Sequence, residues 1–249
     1  MLIVIDAGNT RVKWAEVQKD GRLGAMQAVT NAGIKASTLV SALSQAEKVM
    51  IANVAGATTE QLLTEMMPEK AEVVFATPQA EACHVINQYE KSETLGIDRW
   101  AAVIAAWHMN KQPSIVVNAG TAITIDALSK DKTTKKGAYI GGSIMPGLQP
   151  MLDALSGNTA NLSGSAGIMH VFPKNTQDAI HTGCMNAVVG AVVLQMKQLE
   201  KHCAFLPKIV ISGGDAVKIA EALTPQLKRV VVVEDLVLQG LALLEKETV

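Results

Sequence analysis

A nine-residue pattern that occurs twice constrains this chain more than any other feature in it. Leu2-Ile-Val-Ile-Asp6-Ala-Gly8-Asn-Thr10 is echoed 112 residues later by Ser114-Ile-Val-Val-Asn118-Ala-Gly120-Thr-Ala122. In each copy a short β-branched run ends in Asp or Asn and passes through Ala-Gly to a turn. A second strand-like run follows at once, Arg11 to Val17 in one copy and Ile123 to Leu128 in the other. Solenoid units run to roughly 20–50 residues, so a period this long marks a duplicated domain. A dinucleotide-binding fold would place a helix after the glycine and would want Gly-x-Gly-x-x-Gly, which neither copy supplies. Each glycine is instead expected at a hairpin tip, where φ > 0 is tolerated and a phosphate can approach the backbone amides.

Third strands follow at Ala25 to Thr30 and Gly137 to Ile144. Helical and strand signals then alternate. Helices are expected at Lys35 to Ser44, Thr58 to Met67 and Arg99 to Asn110, with strands at Lys48 to Val54 and Ala71 to Phe75. In the second half, helices are expected at Leu148 to Ser156, Gln177 to His202, Ala216 to Leu223 and Leu236 to Lys246, with strands at Ile209 to Ser212 and Val230 to Val233. A βββαβα order given twice predicts an α/β chain of two mixed-sheet domains, 1–113 and 114–249, with the site in the cleft between them. Pro113 marks the linker, and the helix over 236–246 can fold back onto the first domain.

Composition removes several classes of function. With 22 Lys plus Arg against 23 Asp plus Glu, the net charge of -1 gives no long-range attraction for a polyanion, so nucleic acid and anionic membranes are not expected partners. Three Trp, two Tyr and three Phe are too few to build stacking platforms for single strands, and they leave the core to aliphatic residues. Cys83, Cys184 and Cys203 form no Cys-x-x-Cys pair, which fits free thiols in a reducing compartment. No basic n-region opens the chain and no run approaches about 18 consecutive apolar residues, so a cytoplasmic, unanchored protein is expected. The five histidines lack HxH or HExxH spacing, and no Gly-Lys-Ser/Thr ending of a P-loop occurs.

What remains is a set of short motifs. Asp6-Ala7-Gly8-Asn9-Thr10 with Lys13 has the parts of a phosphate cradle: a turn, a hydroxyl, a carboxylate for a hydrated cation and an ammonium. Strand alternation leaves open whether Lys13 faces the site. Asn118-Ala-Gly120-Thr121 is the second cradle. Asp126 beyond it reads either as a metal-associated carboxylate or, by alternation from Thr124, as a solvated strand residue, the reading favoured. Gly96-Ile97-Asp98-Arg99 sits at a helix start, where Asp98 is either an N-cap or a proton acceptor, and Arg99 a contact for substrate or developing charge. Gly141-Gly142 to Gly147-Leu148 and Ser212-Gly213-Gly214 are small-residue junctions from strand to helix, and Asn175-Thr176 caps the long helix.

In this order and register, these motifs resemble the type III pantothenate kinases, a bacterial family within the acetate kinase, sugar kinase, Hsp70 and actin superfamily. The resemblance spans essentially the whole chain. It implies a duplicated actin-like ATPase (ribonuclease H-like) fold. It also implies a homodimer that uses ATP, Mg²⁺ and a monovalent cation, K⁺ or NH₄⁺, to phosphorylate pantothenate in the first step of coenzyme A synthesis. Asp98 matches the family's proton acceptor, and Tyr89, Gly96, Ile97, Arg99 and Thr176 match its pantothenate contacts. Asp6, Ala7, Gly8, Asn9, Thr10, Arg11, Val12, Lys13 and Thr121 match its ATP contacts. Asn118 departs from the pattern, standing where the family usually has an Asp associated with the monovalent cation; Asn keeps a carbonyl oxygen and loses the charge. That departure motivates an alternative, a catalytically impaired regulatory relative of the Bvg accessory factor type, which binds ATP or pantothenate without efficient turnover.

Overall fold

The computed structural model describes residues 1–156, 167–225 and 227–247. Its first half runs β1 (Leu2–Ala7), β2 (Arg11–Val17), β3 (Gln27–Thr30), α1 (Leu39–Ser44), β4 (Lys48–Asn53), α2 (Ala57–Met66), β5 (Glu72–Phe75), β6 (Glu81–Ala82), β7 (Val85–Asn87) and α3 (Ile97–Asn110). The second half runs β8 (Ser114–Ala119), β9 (Ala122–Lys130), β10 (Gly137–Pro146), α4 (Leu148–Ser156), α5 (Thr176–Cys203), β11 (Lys208–Ser212), α6 (Ala216–Leu223), β12 (Val230–Val232) and α7 (Leu236–Glu247). Two compact units result. The first holds Met1–Lys111, Asp131–Ile140 and Asp235–Val249; the second holds Gln112–Lys130 and Gly141–Glu234. The boundary at Pro113 therefore separates only the first pass of the chain, because residues 131–140 and 235–249 belong with the first unit.

In the first unit the sheet order is β3-β2-β1-β4-β5, with β1 antiparallel to β2 and parallel to β4. The central strands β1 and β4 are buried along most of their length, and their near-continuous aliphatic runs are what a strand covered on both faces requires. Ile3, Ile5, Val12, Trp14, Ile34, Leu39, Leu43, Val49, Ile51 and Leu63 form one core cluster. The helix expected over 35–44 is instead a 3₁₀ turn at Asn31–Ala36 followed by α1. Ser37 is the reason: its hydroxyl donates to the Ile34 carbonyl at 2.6 Å and accepts from the Leu39 amide at 3.3 Å, competing with the helical ladder. Ten of the 14 residues of α3 are buried, among them Trp100, Ala101, Ile104 and Trp107, so this helix is covered nearly all round. α7 supplies part of that cover. A Cβ on Gly240 would lie 1.9 Å from the Ala101 carbonyl oxygen, so the two backbones meet where only glycine fits.

In the second unit β8 pairs antiparallel with β9 and parallel with β11, and β11 pairs parallel with β12. α5 packs on β8 and β9 through a face that includes Cys184, Met185, Val188, Val192 and Met196. This 28-residue helix reaches the length and mean hydropathy, 1.4, of a membrane span although it contains no unbroken apolar run of that length. It packs on the strands along one face. All three cysteines are free, and Cys83 and Cys184 are buried.

The duplicated hairpins differ by one residue. In the first, Ala7 pairs with Val12, leaving Gly8 to Arg11 to turn the chain; in the second, Ala119 pairs with Ile123, leaving Gly120 to Ala122. Asp6 therefore stands directly opposite Lys13, whereas Asn118 stands opposite Thr124. Among the described residues the glycines with positive φ are Gly21, Gly56, Gly141 and Gly213, so neither Gly8 nor Gly120 takes the expected left-handed conformation. Their amides close the turns directly, donating to the Arg11 carbonyl at 3.0 Å and the Ala122 carbonyl at 3.1 Å.

Candidate active site

The first unit gathers charge at the end of β1. Because residues opposite each other on antiparallel strands share a face, Asp6 and Lys13 face the same side of the sheet. Burial pushes the Asp6 carboxyl up to about 7; the Lys13 ammonium opposes that shift, while the negative charges of Asp98 and Asp235 add to it. Asp98 thus shares its electrostatic surroundings with Asp6, and burial raises its own carboxyl as well, against bonding from the Arg99 amide and the Arg99 charge. Lys13 does not point freely at solvent: its Nζ lies 3.8 Å from an Asp235 carboxylate oxygen.

Asp98 is not the helix cap. Gly96 occupies the N-cap position of α3, and Asp98 is in the first turn, where its Oδ1 accepts from the Arg99 amide at 2.8 Å. A carboxylate there is favoured by the positive end of the helix dipole. A Cβ on Gly96 would stand 2.6 Å from that oxygen, so this glycine leaves room for the carboxylate. Arg99 is 4% exposed and donates through Nη2 to the Tyr139 hydroxyl at 2.7 Å. The Tyr139 ring lies 5.9 Å from that of Tyr89, which is exposed at the surface. Ile97 is buried, and Ala7 and Val12 are core residues, so these three reach a ligand by backbone if at all. Asn9, Thr10 and Arg11 form the exposed tip beyond Gly8.

In the second unit three separate motifs converge on the β8–β9 turn. The Gly147 amide donates to the Thr121 carbonyl at 2.8 Å, and the Asp215 amide donates to the Ala119 carbonyl at 3.2 Å. A Cβ on Gly147 would sit 2.2 Å from the Gly120 oxygen, and one on Gly213, whose φ is +106°, 2.3 Å from the Ala119 oxygen. The starts of α4 and α6 are thereby drawn to the Thr121 turn, and Thr121 itself is exposed. Asp126, read as solvated, is fully buried, because β9 is covered by α5 and lies beside β8. Asn118 Nδ2 and Thr124 Oγ1 are buried without a hydrogen-bond partner. Asn175 caps α5, its Oδ1 accepting from the Asp178 amide at 2.9 Å, and Thr176 is exposed in the first turn.

Three residues of these sites escaped the sequence reading. Asn31 fastens the first hairpin, its Nδ2 donating to the Gly8 and Asn9 carbonyls at 3.1 and 3.0 Å. Tyr139 anchors Arg99, and Asp235 faces Lys13. Only Asp235 carried a signal, an acid directly before a helical pattern.

Known proteins resemble the chain throughout. A family model described as type III pantothenate kinase matches residues 2–211. The type III pantothenate kinase of Nitrosospira multiformis is 37% identical over 252 residues, covering 100% of this chain and 92% of that protein. The one from Methylobacillus flagellatus is 35% identical over 252 residues, covering 98% of each. Among solved structures, a conserved Baf family protein from Campylobacter jejuni matches with a TM-score of 0.65 at 21% identity, over 99% of this chain and 98% of that one. An archaeal actin homolog matches with a TM-score of 0.50 at 11% identity, over 100% and 99%. The structural likenesses show an actin-like fold of two mixed sheets. The sequence likenesses show more: this chain belongs to the type III pantothenate kinases, a family of phosphotransferases.

Proposed function

We propose that the protein transfers the γ-phosphoryl group of ATP to the primary hydroxyl of pantothenate, giving 4′-phosphopantothenate and ADP as the first step of coenzyme A synthesis in the cytoplasm. The observation that carries this reading is the buried Asp6 carboxyl, which stands opposite Lys13 and feels the charge of Asp98. Asp98 accepts the hydroxyl proton as the alcohol oxygen bonds to the γ-phosphorus and the bond to ADP breaks. Its raised pKa brings it nearer to working pH, as a general base needs. The transition state of such a transfer is loose, so positioning and charge neutralisation outweigh base strength. Lys13, the Gly8 to Arg11 turn and Thr121 bind the phosphates; Tyr89, Gly96, Ile97, Arg99 and Thr176 bind the acceptor.

Asp6 fits a hydrated Mg²⁺ that arrives with the triphosphate. It is a desolvated carboxylate whose one neighbouring cation leaves its pKa well above the usual range, and Mg²⁺ is commonly held by one or two carboxylates together with substrate phosphates. Bound there, Mg²⁺ neutralises charge on the phosphates. A monovalent cation fits Asn118 poorly, because the buried group without a partner is an N–H donor and the residue is neutral.

The test is ADP release coupled to pantothenate addition. Asp98→Asn is expected to lower kcat at least about a hundredfold while the fold is kept, the usual scale for a lost general base. A folded Asp98→Asn protein with full turnover would remove the base assignment. Replacing K⁺ by Na⁺ is expected to change the rate of the unaltered protein less than about twofold, since the site offers the ion no charge. Asn118 also favours the regulatory reading, under which ATP or pantothenate binds and no ADP appears at any K⁺ concentration.

A further inference from the structure

We propose that Asp235 is a positioning residue that holds the Lys13 ammonium for a phosphate of ATP; this rests on the reading of Lys13 as an ATP contact. Asp235 lies far from every motif in sequence, yet its side chain is 9% exposed and one carboxylate oxygen is 3.8 Å from Lys13 Nζ. Its φ of +52° is one that only glycine, Asn and Asp adopt with any frequency, so the backbone is held where the carboxylate meets β2. The hold comes from α7. The Gln239 amide donates to the Asp235 carbonyl at 3.0 Å, and the close approach of Gly240 to Ala101 fixes α7 against α3, the helix that carries Asp98. One helix thus ties the acceptor-side carboxylate and the phosphate-side ammonium into a single frame.

The physical role follows from what surrounds Lys13. Directly across the hairpin stands Asp6, and a flexible lysine with that carboxylate as its only partner would settle on it. Asp235 competes for the ammonium and leaves Asp6 available to a cation. It also restricts the lysine rotamers in advance, which removes part of the ordering cost of binding a phosphate.

The experiment uses the full chain and a double-mutant cycle of Asp235→Asn with Lys13→Met, reading MgATP affinity by calorimetry together with both KM values. Asp235→Asn is expected to weaken MgATP binding about tenfold, to leave the pantothenate KM within about twofold, and to add nothing in the Lys13→Met background, as for residues that act as a unit. Asn tolerates the left-handed backbone; if that variant melts early, Asp235→Gly removes the carboxylate without backbone strain and is expected to show the same loss. Unchanged MgATP affinity, losses of equal size for both substrates, or losses that multiply with Lys13→Met would overturn the proposal. Binding of MgATP needs no turnover, so an absence of pantothenate-dependent ADP release would reject the kinase reading without altering this outcome.

Discussion

Asp6 shows what burying a single carboxyl costs. Its carboxyl titrates near 7 in the folded chain because burial and two neighbouring acids disfavour the charge, whereas the unfolded chain presents an ordinary carboxyl of 3.8. The folded state therefore holds this proton more tightly than the unfolded state, and the group's contribution to stability falls as pH rises from about 4 to about 7. Asp6→Asn removes the penalty. At pH 8 it is expected to stabilise the ligand-free protein by about 2 kcal/mol, after allowance for the partial exposure of the side chain, and to abolish ADP release. Thermal melts at pH 5 and pH 8 check this: the gain should shrink at the lower pH, and a variant no more stable at pH 8 would contradict the account. Asp6, Asp98 and Lys13, the residues proposed for the site, could be singled out in the sequence because each sits in a compact motif whose residue types suggest a chemistry. The contacts of Asp235 with Lys13 and of Tyr139 with Arg99 could not be read there, because they form by tertiary packing and no spacing connects either pair.

At the scale of elements, α7 is the least expected contributor. Its sequence reads as an amphipathic terminal helix, and nothing local says that Gly240 must touch the Ala101 backbone. Gly240→Ala is expected to force α7 away from α3 and cost about 2 kcal/mol, the usual penalty for overpacking, with a lower Tm in a thermal melt. Since Asp235 directly precedes α7 and its carbonyl accepts from the Gln239 amide, MgATP binding should weaken in the same variant. A Tm equal to that of the unaltered protein would show that the two helices separate without cost. The strands β1, β2, β4 and β8 were readable because segments of six or seven residues with β-branched or alternating apolar positions carry a clear pattern. β6 and β7, two and three residues long, carry none, and their turn through Cys83 and His84 places non-glycine residues at φ of 49° and 60°. That turn is tied down by tertiary bonds, the Glu247 carboxylate on the Cys83 amide and His108 Nε2 on the Cys83 carbonyl, which no local signal announces.

For the whole molecule, the duplication divides the sequence at residue 113, but the physical units are assembled from separated stretches. A repeat records how the chain was built, whereas compactness depends on which surfaces need cover. α3 is the case in point: ten of its 14 residues are buried, and α7, which packs on it, enters the chain only at residue 236. β7 pairs with the start of β10, residues 137–139, which also lie beyond 113. A fragment ending at residue 113 keeps the complete β3-β2-β1-β4-β5 sheet but bares a helix lined with Trp100, Ile104 and Trp107. Uncovering even three large side chains forfeits about 5 kcal/mol or more, comparable with the whole stability of a small domain. Residues 1–113 expressed alone should therefore show helix and strand by circular dichroism, bind a hydrophobic dye, and lack a cooperative thermal transition. Adding a peptide of residues 235–247 in excess should restore cooperativity in part, because it returns α7 and Asp235. A fragment that melts cooperatively at the temperature of the full chain would mean that the cover supplied by residues 131–140 and 235–247 is dispensable.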